Sequence, residues 1–305
     1  MPPRLFVAGS ANIDLTFRVP ALPRRGVTEV CADYQQGFGG KGANQAVQAA
    51  RLGAGVSFLG KVGDDPFGPA IVRQLRSEGV DTAHVTVAAG LLTGTAVILV
   101  EPAGQNTIVA SAGPNITLRI DDVRCAAPAI AAAQALVVTL EVPGDPLTEA
   151  LRLARLAGVR TILNPAPPVF FPRALLQWID VCVPNESELF ALTNCPADSL
   201  AEVEAAALAL RAAGPSVVVV TLGARGALVL DETGAEHISG MTVNAVDTSG
   251  AGDAFTAALA VALAEGQSLR EAARWANTVA AWSVTRNGTQ ASFPKRADVD
   301  QPASQ

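Results

Sequence analysis

The sequence predicts an α/β protein, a three-layer sandwich around a central, mostly parallel sheet, with two β-like segments outside its rhythm. Three patterns predict it. The short apolar runs Leu5-Phe6-Val7-Ala8, Val56 to Leu59, Leu136 to Leu140, Thr161-Ile162-Leu163 and Val217 to Val220 lack polar alternation, as strands buried on both faces do. Helix-length segments separate them at Ala43 to Leu52, Phe67 to Glu78 and Pro146 to Ala157. Two more close the chain, Ala254 to Glu265 and Leu269 to about Val284. Strands alternating with helices in this way build parallel sheets. Two stretches break the rhythm: about 15–36, with Pro20, Pro23 and Gly26 at turns, and about 92–111, where Thr93 to Val100 and Thr107 to Ser111 are joined across Pro102-Ala103-Gly104. Their β-like alternation reads as strand pairs outside this rhythm, either hairpins at the sheet margin or a sheet of their own.

With 305 residues the chain can bury one large core, and 1–305 reads as a single domain. Half of it is apolar, yet no run reaches the roughly 18 apolar residues of a membrane span. A net charge of −6 argues against a nucleic-acid partner. Cys31, Cys125, Cys182 and Cys195 show no C-x-x-C spacing, and His84 and His237 are the only histidines, so zinc, disulfide and histidine chemistry have little material. Met1-Pro2-Pro3-Arg4 leads straight into the first strand without a signal-like apolar region, which points to the cytoplasm. In that compartment the sequon-like Asn115-Ile116-Thr117 and Asn287-Gly288-Thr289 are incidental. The polar tail from Ala297 to Gln305 is expected to be loose.

The chain's chemistry centres on Val246-Asp247-Thr248-Ser249-Gly250-Ala251-Gly252-Asp253-Ala254-Phe255, which leads into a small-residue helix. The first turn of a helix offers unpaired N–H groups and the positive end of the dipole, and glycine lets a phosphate approach the backbone. A lone aspartate at such a place is commonly only a favourable first-turn charge. Asp253 stands among N–H groups that suit phosphoryl oxygens, where a carboxylate can take a proton from a hydroxyl. The chemistry suggested is phosphoryl transfer to an alcohol.

Asp247 to Asp253 resembles the C-terminal signature of the ribokinase-like (PfkB) carbohydrate kinases. Gly39-Gly40-Lys41-Gly42-Ala43-Asn44 resembles their N-terminal signature, and the two stand in the family's order about two hundred residues apart. The resemblance implies a Rossmann-like sandwich with a β-sheet lid, and transfer of the ATP γ-phosphoryl to O5 of D-ribose. It assigns Asp253 as base, with N–H groups of Gly250, Ala251, Gly252 and Asp253 as an anion hole. Asn12, Asp14, Gly40, Lys41, Gly42, Ala43, Asn44 and the Glu141 of Leu140-Glu141-Val142-Pro143 are assigned to the sugar. Taken alone, Asn12 and Asp14 are either turn-formers or a pair suited to a diol.

The resemblance likewise assigns Asn185, Glu188, the turn Thr221-Leu222-Gly223-Ala224-Arg225-Gly226, Gly252 and Asn277 to ATP, with magnesium placed by Asn185 and Glu188 through water. Asn185 to Glu188 also reads as a helix capping box, and the glycine-rich turn as a hairpin to Ala227-Leu228-Val229-Leu230. Potassium is assigned to Asp247, Ser249, the carbonyls of Ser283, Arg286 and Gly288, and the hydroxyl of Ser292, an oxygen set suited to a hard cation. A homodimer through the lid is implied.

Other acceptors remain open: 2-deoxyribose, fructose, adenosine, or a sugar phosphate met by Arg18, Arg24 and Arg25. So does a non-catalytic sugar-binding role. Gly37-Phe38-Gly39-Gly40-Lys41-Gly42 matches G-x-G-x-x-G, but the polar Ala32 to Gln36 before it is not the buried strand a dinucleotide site requires. No G-x-x-x-x-G-K-[ST] occurs, which excludes a P-loop kinase.

Overall fold

The computed structural model describes residues 1–102, 105–168 and 173–300. Thirteen strands are found among them: β1 Arg4–Ala8, β2 Asn12–Arg18, β3 Tyr34–Gly39, β4 Gly55–Gly63, β5 Val80–Ala88, β6 Gly94–Val100, β7 Asn106–Ser111, β8 Ala135–Thr139, β9 Arg160–Asn164, β10 Val181–Cys182, β11 Val217–Thr221, β12 Ala227–Asp231 and β13 Gly234–Ile238. The helices are α1 Lys41–Arg51, α2 Phe67–Ser77, α3 Ile120–Cys125, α4 Ala127–Ala132, α5 Gly144–Leu156, α6 Glu186–Thr193, α7 Leu200–Ala212, α8 Ala251–Ala264, α9 Leu269–Ser283 and α10 Arg296–Val299.

Nine strands form the central sheet in the order β13-β12-β11-β10-β9-β8-β1-β4-β5. All of its pairs are parallel except β11 with β12 and β12 with β13. Alternate strand residues enter different cores, as a pleated strand requires. Leu5, Val7 and Val137 pack with α1, α8 and α9, whereas Phe6, Ala8 and Val138 pack with α5 and α7. Burial on both faces explains the unbroken apolar runs.

The strand order reverses about β1, whose neighbours are β4 and β8. Open α/β sheets bind ligands at the carboxyl ends of strands beside such a reversal. Ser10 follows β1, Glu141 follows β8, Asn164 ends β9, Asn185 follows β10 and Thr221 ends β11. The candidate residues therefore share one edge of the sheet.

The small sheet has the order β3-β2-β6-β7, with β2 and β6 parallel and the outer pairs antiparallel. It corrects the expected boundaries. The first half consists of Asn12–Arg18 and Tyr34–Gly39, with no regular strand over residues 19–33. Asn12, Asp14 and Gly39 thus lie on the small sheet itself, because β2 starts only three residues after β1 ends. Residues 103–104 of the predicted link between β6 and β7 lie outside the described residues. Tyr34–Gly39 does precede α1, but it pairs antiparallel with β2 in the small sheet, so G-x-G-x-x-G lacks the βαβ setting. In the tail, Arg296–Val299 is a short helix with Val299 buried, while 301–305 lie outside the described residues.

α1 meets the end of β1 backbone to backbone. A Cβ on Gly42 would lie 2.7 Å from Gly9 Cα and 2.9 Å from Ser10 N, and neither can retreat without moving the strand. Gly42→Ala is therefore expected to shift α1 and to lower stability by about 1–3 kcal/mol in chemical denaturation.

Candidate active site

Gly250 stands just before α8 as its N-cap, and its φ of 77° favours glycine. A Cβ there would press 2.5 Å from Thr289 Cγ2, so the glycine also lets the loop after α9 close on the helix start. No side chain caps this N-terminus, and space above Gly252 is open. Ala251 N–H turns back to Thr248 O at 3.3 Å. Asp253, in the first turn, is 5% exposed.

Both carboxylate oxygens of Asp253 are held from α1. Asn44 Nδ2 donates to Oδ2 at 2.9 Å, and Gln45 Nε2 donates to Oδ1 at 3.0 Å. Gln45 Nε2 also reaches Asn164 Oδ1 at 3.2 Å, and Asn164 Nδ2 donates to Val183 O at 3.0 Å. Lys41 opens the same helix, and the charge of Asp253, ahead of Glu141 and Glu188, raises the lysine's pKa above its ordinary value against the effect of burial. The lysine is therefore a cation held among carboxylates.

Glu141 caps α1: its Oε2 accepts from Lys41 N at 2.9 Å and from the Ser10 hydroxyl. A carboxylate at a helix N-terminus is favourable, which α1 otherwise lacks in its first turn. Asp14 lies against the Gly39 backbone, where a Cβ would collide with the carboxylate. Asn12 Oδ1 accepts from Asn115 Nδ2 at 2.7 Å, which turns the Asn12 amide nitrogen away from Asn115. Asn115 in turn takes Ala11 N–H at 3.0 Å and is 1% exposed, so this sequon-like asparagine is a buried strut.

A cavity of about 220 Å³ joins Lys41, Asn164, Asn185, Glu188, Thr221 and Asp253 with Gly250, Ala251 and Gly252. Asn185 and Glu188 form the expected capping box: Asn185 Oδ1 accepts from Glu188 N at 2.8 Å, and Glu188 Oε2 from Asn185 N at 2.9 Å. Burial, and secondarily the charge of Asp253, raises the Glu188 pKa, although the Asn185 N–H and Lys41 oppose the rise.

The turn after β11 is a hairpin to β12. Leu222 N bonds to Gly226 O at 2.8 Å, and a Cβ on Gly226 would collide with Ile238 O. Gly223 takes φ 57°, and Arg225 pairs with Glu186 beside Asn185, while Ala224 lies between them. Asn277 on α9 gives Nδ2 to Ile238 O at 3.3 Å and does not line the 220 Å³ cavity.

A larger cleft of about 1130 Å³ lies between the small sheet and the loops before α8 and after α9, lined among others by Asp14, Phe38, Asp247, Ser249 and Gly288. Asp247 links the two loops: Oδ1 accepts from Ser249 N and Oδ2 from Gly288 N, each at 2.9 Å. Burial acts to raise its pKa, but these N–H donors hold it below the ordinary value. Ser292 Oγ donates to Thr289 O at 2.9 Å, Ser283 Oγ donates to Ala280 O at 2.8 Å, and Arg286 is exposed.

Residues 3–296 match the model of the pfkB family carbohydrate kinases. The chain belongs to this family. A ribokinase of Haemophilus influenzae is 39% identical over 295 residues, covering 96% of each chain. A ribokinase of Mus musculus is 41% identical over 303 residues, covering 96% of this chain and 92% of its own. The Arabidopsis thaliana ribokinase complexed with ribose and ATP superposes with a TM-score of 0.91 at 33% identity, covering 98% of both chains. In this pfkB chain Ser10, Gln45, Asn115 and Asn164 were given no place in the site from sequence, although Gln45 directly follows the glycine motif and Asn115 stood out as a sequon.

Burial, then the charges of Glu141 and Asp253, raises Asp14 from 3.8 to about 6. A folded pKa above the unfolded one destabilises the fold as pH rises from 3.8 to about 6, by at most about 3 kcal/mol at neutral pH. Asp14→Asn should therefore raise Tm at pH 7.5, with the gain vanishing near pH 4.

Proposed function

We propose that this pfkB-family chain transfers the γ-phosphoryl group of ATP to O5 of D-ribose, with Asp253 as general base. The observation that carries the reading is the position of Asp253. Its carboxylate touches the α1 side chains of the glycine motif, while its backbone belongs to the uncapped first turn of α8.

Asp253 takes the O5 hydroxyl proton as the O5–P bond forms and the bond from γ-phosphorus to the β,γ-bridging oxygen breaks. ADP leaves with that electron pair, and the proton passes from Asp253 to solvent. N–H groups at Gly250 to Asp253 offset charge on the transferring oxygens, with Lys41 adding positive charge. Asn12, Asp14, Asn44 and Glu141 orient the sugar, and the small sheet acts as a lid that excludes water.

Asn185 and Glu188 offer oxygens at one end of the 220 Å³ cavity, a set that fits a largely hydrated magnesium ion. When bound, magnesium neutralises phosphate charge. Asp247, buried Ser283, buried Ser292 and the nearby carbonyls fit potassium, which would stiffen the start of α8 from behind. The turn at 221–226 and Asn277 flank the nucleotide. Exposed Ile108 and Val109 on β7 support a homodimer through the lids.

Ribose is favoured by the ribokinase relatives, although a deoxyribokinase of Salmonella typhi is also 37% identical over 94% of the chain. ADP release should be fastest with ribose in a panel that includes 2-deoxyribose, fructose, adenosine and fructose 6-phosphate, and should fall when sodium replaces potassium. Faster turnover of another acceptor contradicts the ribose assignment, and no turnover with any contradicts the kinase reading.

A further inference from the structure

The outer end of the Asp253 network lies on a side chain not assigned to the sugar or the phosphates, which lines the 1130 Å³ cleft together with Asp14. Asn44, whose Nδ2 donates to Asp253, receives at Oδ1 a hydrogen bond from Gln290 Nε2 at 3.0 Å. Gln290 is 4% exposed and belongs to the loop after α9. Its own backbone is clamped to α1, since Arg51 Nη1 donates to Gln290 O at 2.5 Å and to Phe293 O at 2.9 Å. Glu78 holds Arg51 at 2.6 and 2.9 Å, and Gln48 Nε2 donates to Pro294 O at 3.0 Å.

The hydrogen-bond directions in this series follow from one group. An ionised carboxylate only accepts, so Asn44 must present its NH₂ to Asp253 and its oxygen to Gln290. Gln290 must then present its NH₂ to Asn44. The arrangement leaves Gln290 Oε1 and Gln45 Oε1 buried without a partner among the described residues, and a buried acceptor without a donor is destabilising. Stability alone does not favour that outcome; orienting the carboxylate does.

We propose that Gln290 is a positioning residue for the Asp253 base, acting through Asn44, so that the loop after α9 sets the orientation of the carboxylate. The inference rests on the reading of Asp253 as base. Without the Gln290 donor, the Asn44 amide is free to turn, and the Asp253 carboxylate loses a hydrogen bond that fixes its orientation. Gln290→Glu is the sharper variant. It keeps the shape, but the ionised carboxylate it introduces accepts where the amide of Gln290 donates, pulling the Asn44 NH₂ away from Asp253.

The experiment measures kcat, the sugar KM, Tm and the pH profile of kcat for Gln290→Leu, Gln290→Glu and a control, Gln48→Leu, which removes a buried bond between α1 and the same loop without touching the series. Both Gln290 variants should lose at least tenfold in kcat, with sugar KM changed less than kcat. For Gln290→Glu, kcat relative to the unaltered protein should recover as pH falls and the introduced carboxyl regains a proton to donate. Gln48→Leu should lower Tm with a smaller loss in kcat.

Gln290 variants that fold yet keep kcat within tenfold of the unaltered protein, or lose activity only in step with Tm as Gln48→Leu does, overturn the proposal. If Gln290→Leu does not fold, the isosteric Gln290→Glu decides it by the same criteria. An Asp253→Asn variant with ordinary turnover would instead overturn the base itself, so the two failures are distinguishable.

Discussion

The structure depends on one buried carboxylate held across the core by two amides. Asp253 comes from the first turn of α8, and Asn44 and Gln45 from the start of α1, more than two hundred residues earlier. A buried charge without donors would be expelled or protonated. The Asp253 bonds therefore bind the two signature segments to each other alongside the apolar packing of α1 on α8. That packing is close because both helices meet through alanine and glycine, including Ala46, Ala254 and Ala257.

Around that contact the site concentrates negative charge. Asp14, Glu141, Glu188 and Asp253 influence one another's or Lys41's titration, and burial pushes Asp14 and Glu188 upward. Such a concentration of carboxylates is unfavourable in itself. Stability given up for function in this manner is common in enzyme sites. The rest of the molecule, a nine-stranded sheet with a separate apolar core on each face, supplies the reserve.

The central sheet was legible because strands buried on both faces are written as unbroken apolar runs, as at Leu136 to Leu140 and Val217 to Val220. β5, β10 and β13 were not, since an edge strand such as Val80–Ala88 is half exposed and Val181–Cys182 is only two residues long. The small sheet was visible as alternation, but its start was set too late because Asn12 and Asp14 follow β1 so closely that they read as its turn. Within the site, glycine spacing made Gly250 to Asp253 and Gly39 to Asn44 readable. Asn115, Asn164 and Gln290 act from loops and strand ends brought together only by folding, and an isolated amide carries no pattern.

The central claim is that Asp253 removes the sugar's proton while others bind the substrates. The most direct measurement compares Asp253→Asn with the unaltered protein in single-turnover phosphoryl transfer and in calorimetric binding of ribose and ATP. The account predicts a loss of several orders of magnitude in the transfer rate, with both dissociation constants within about tenfold and Tm no lower. Transfer at a near-normal rate, or a loss of activity explained entirely by lost binding, would contradict it.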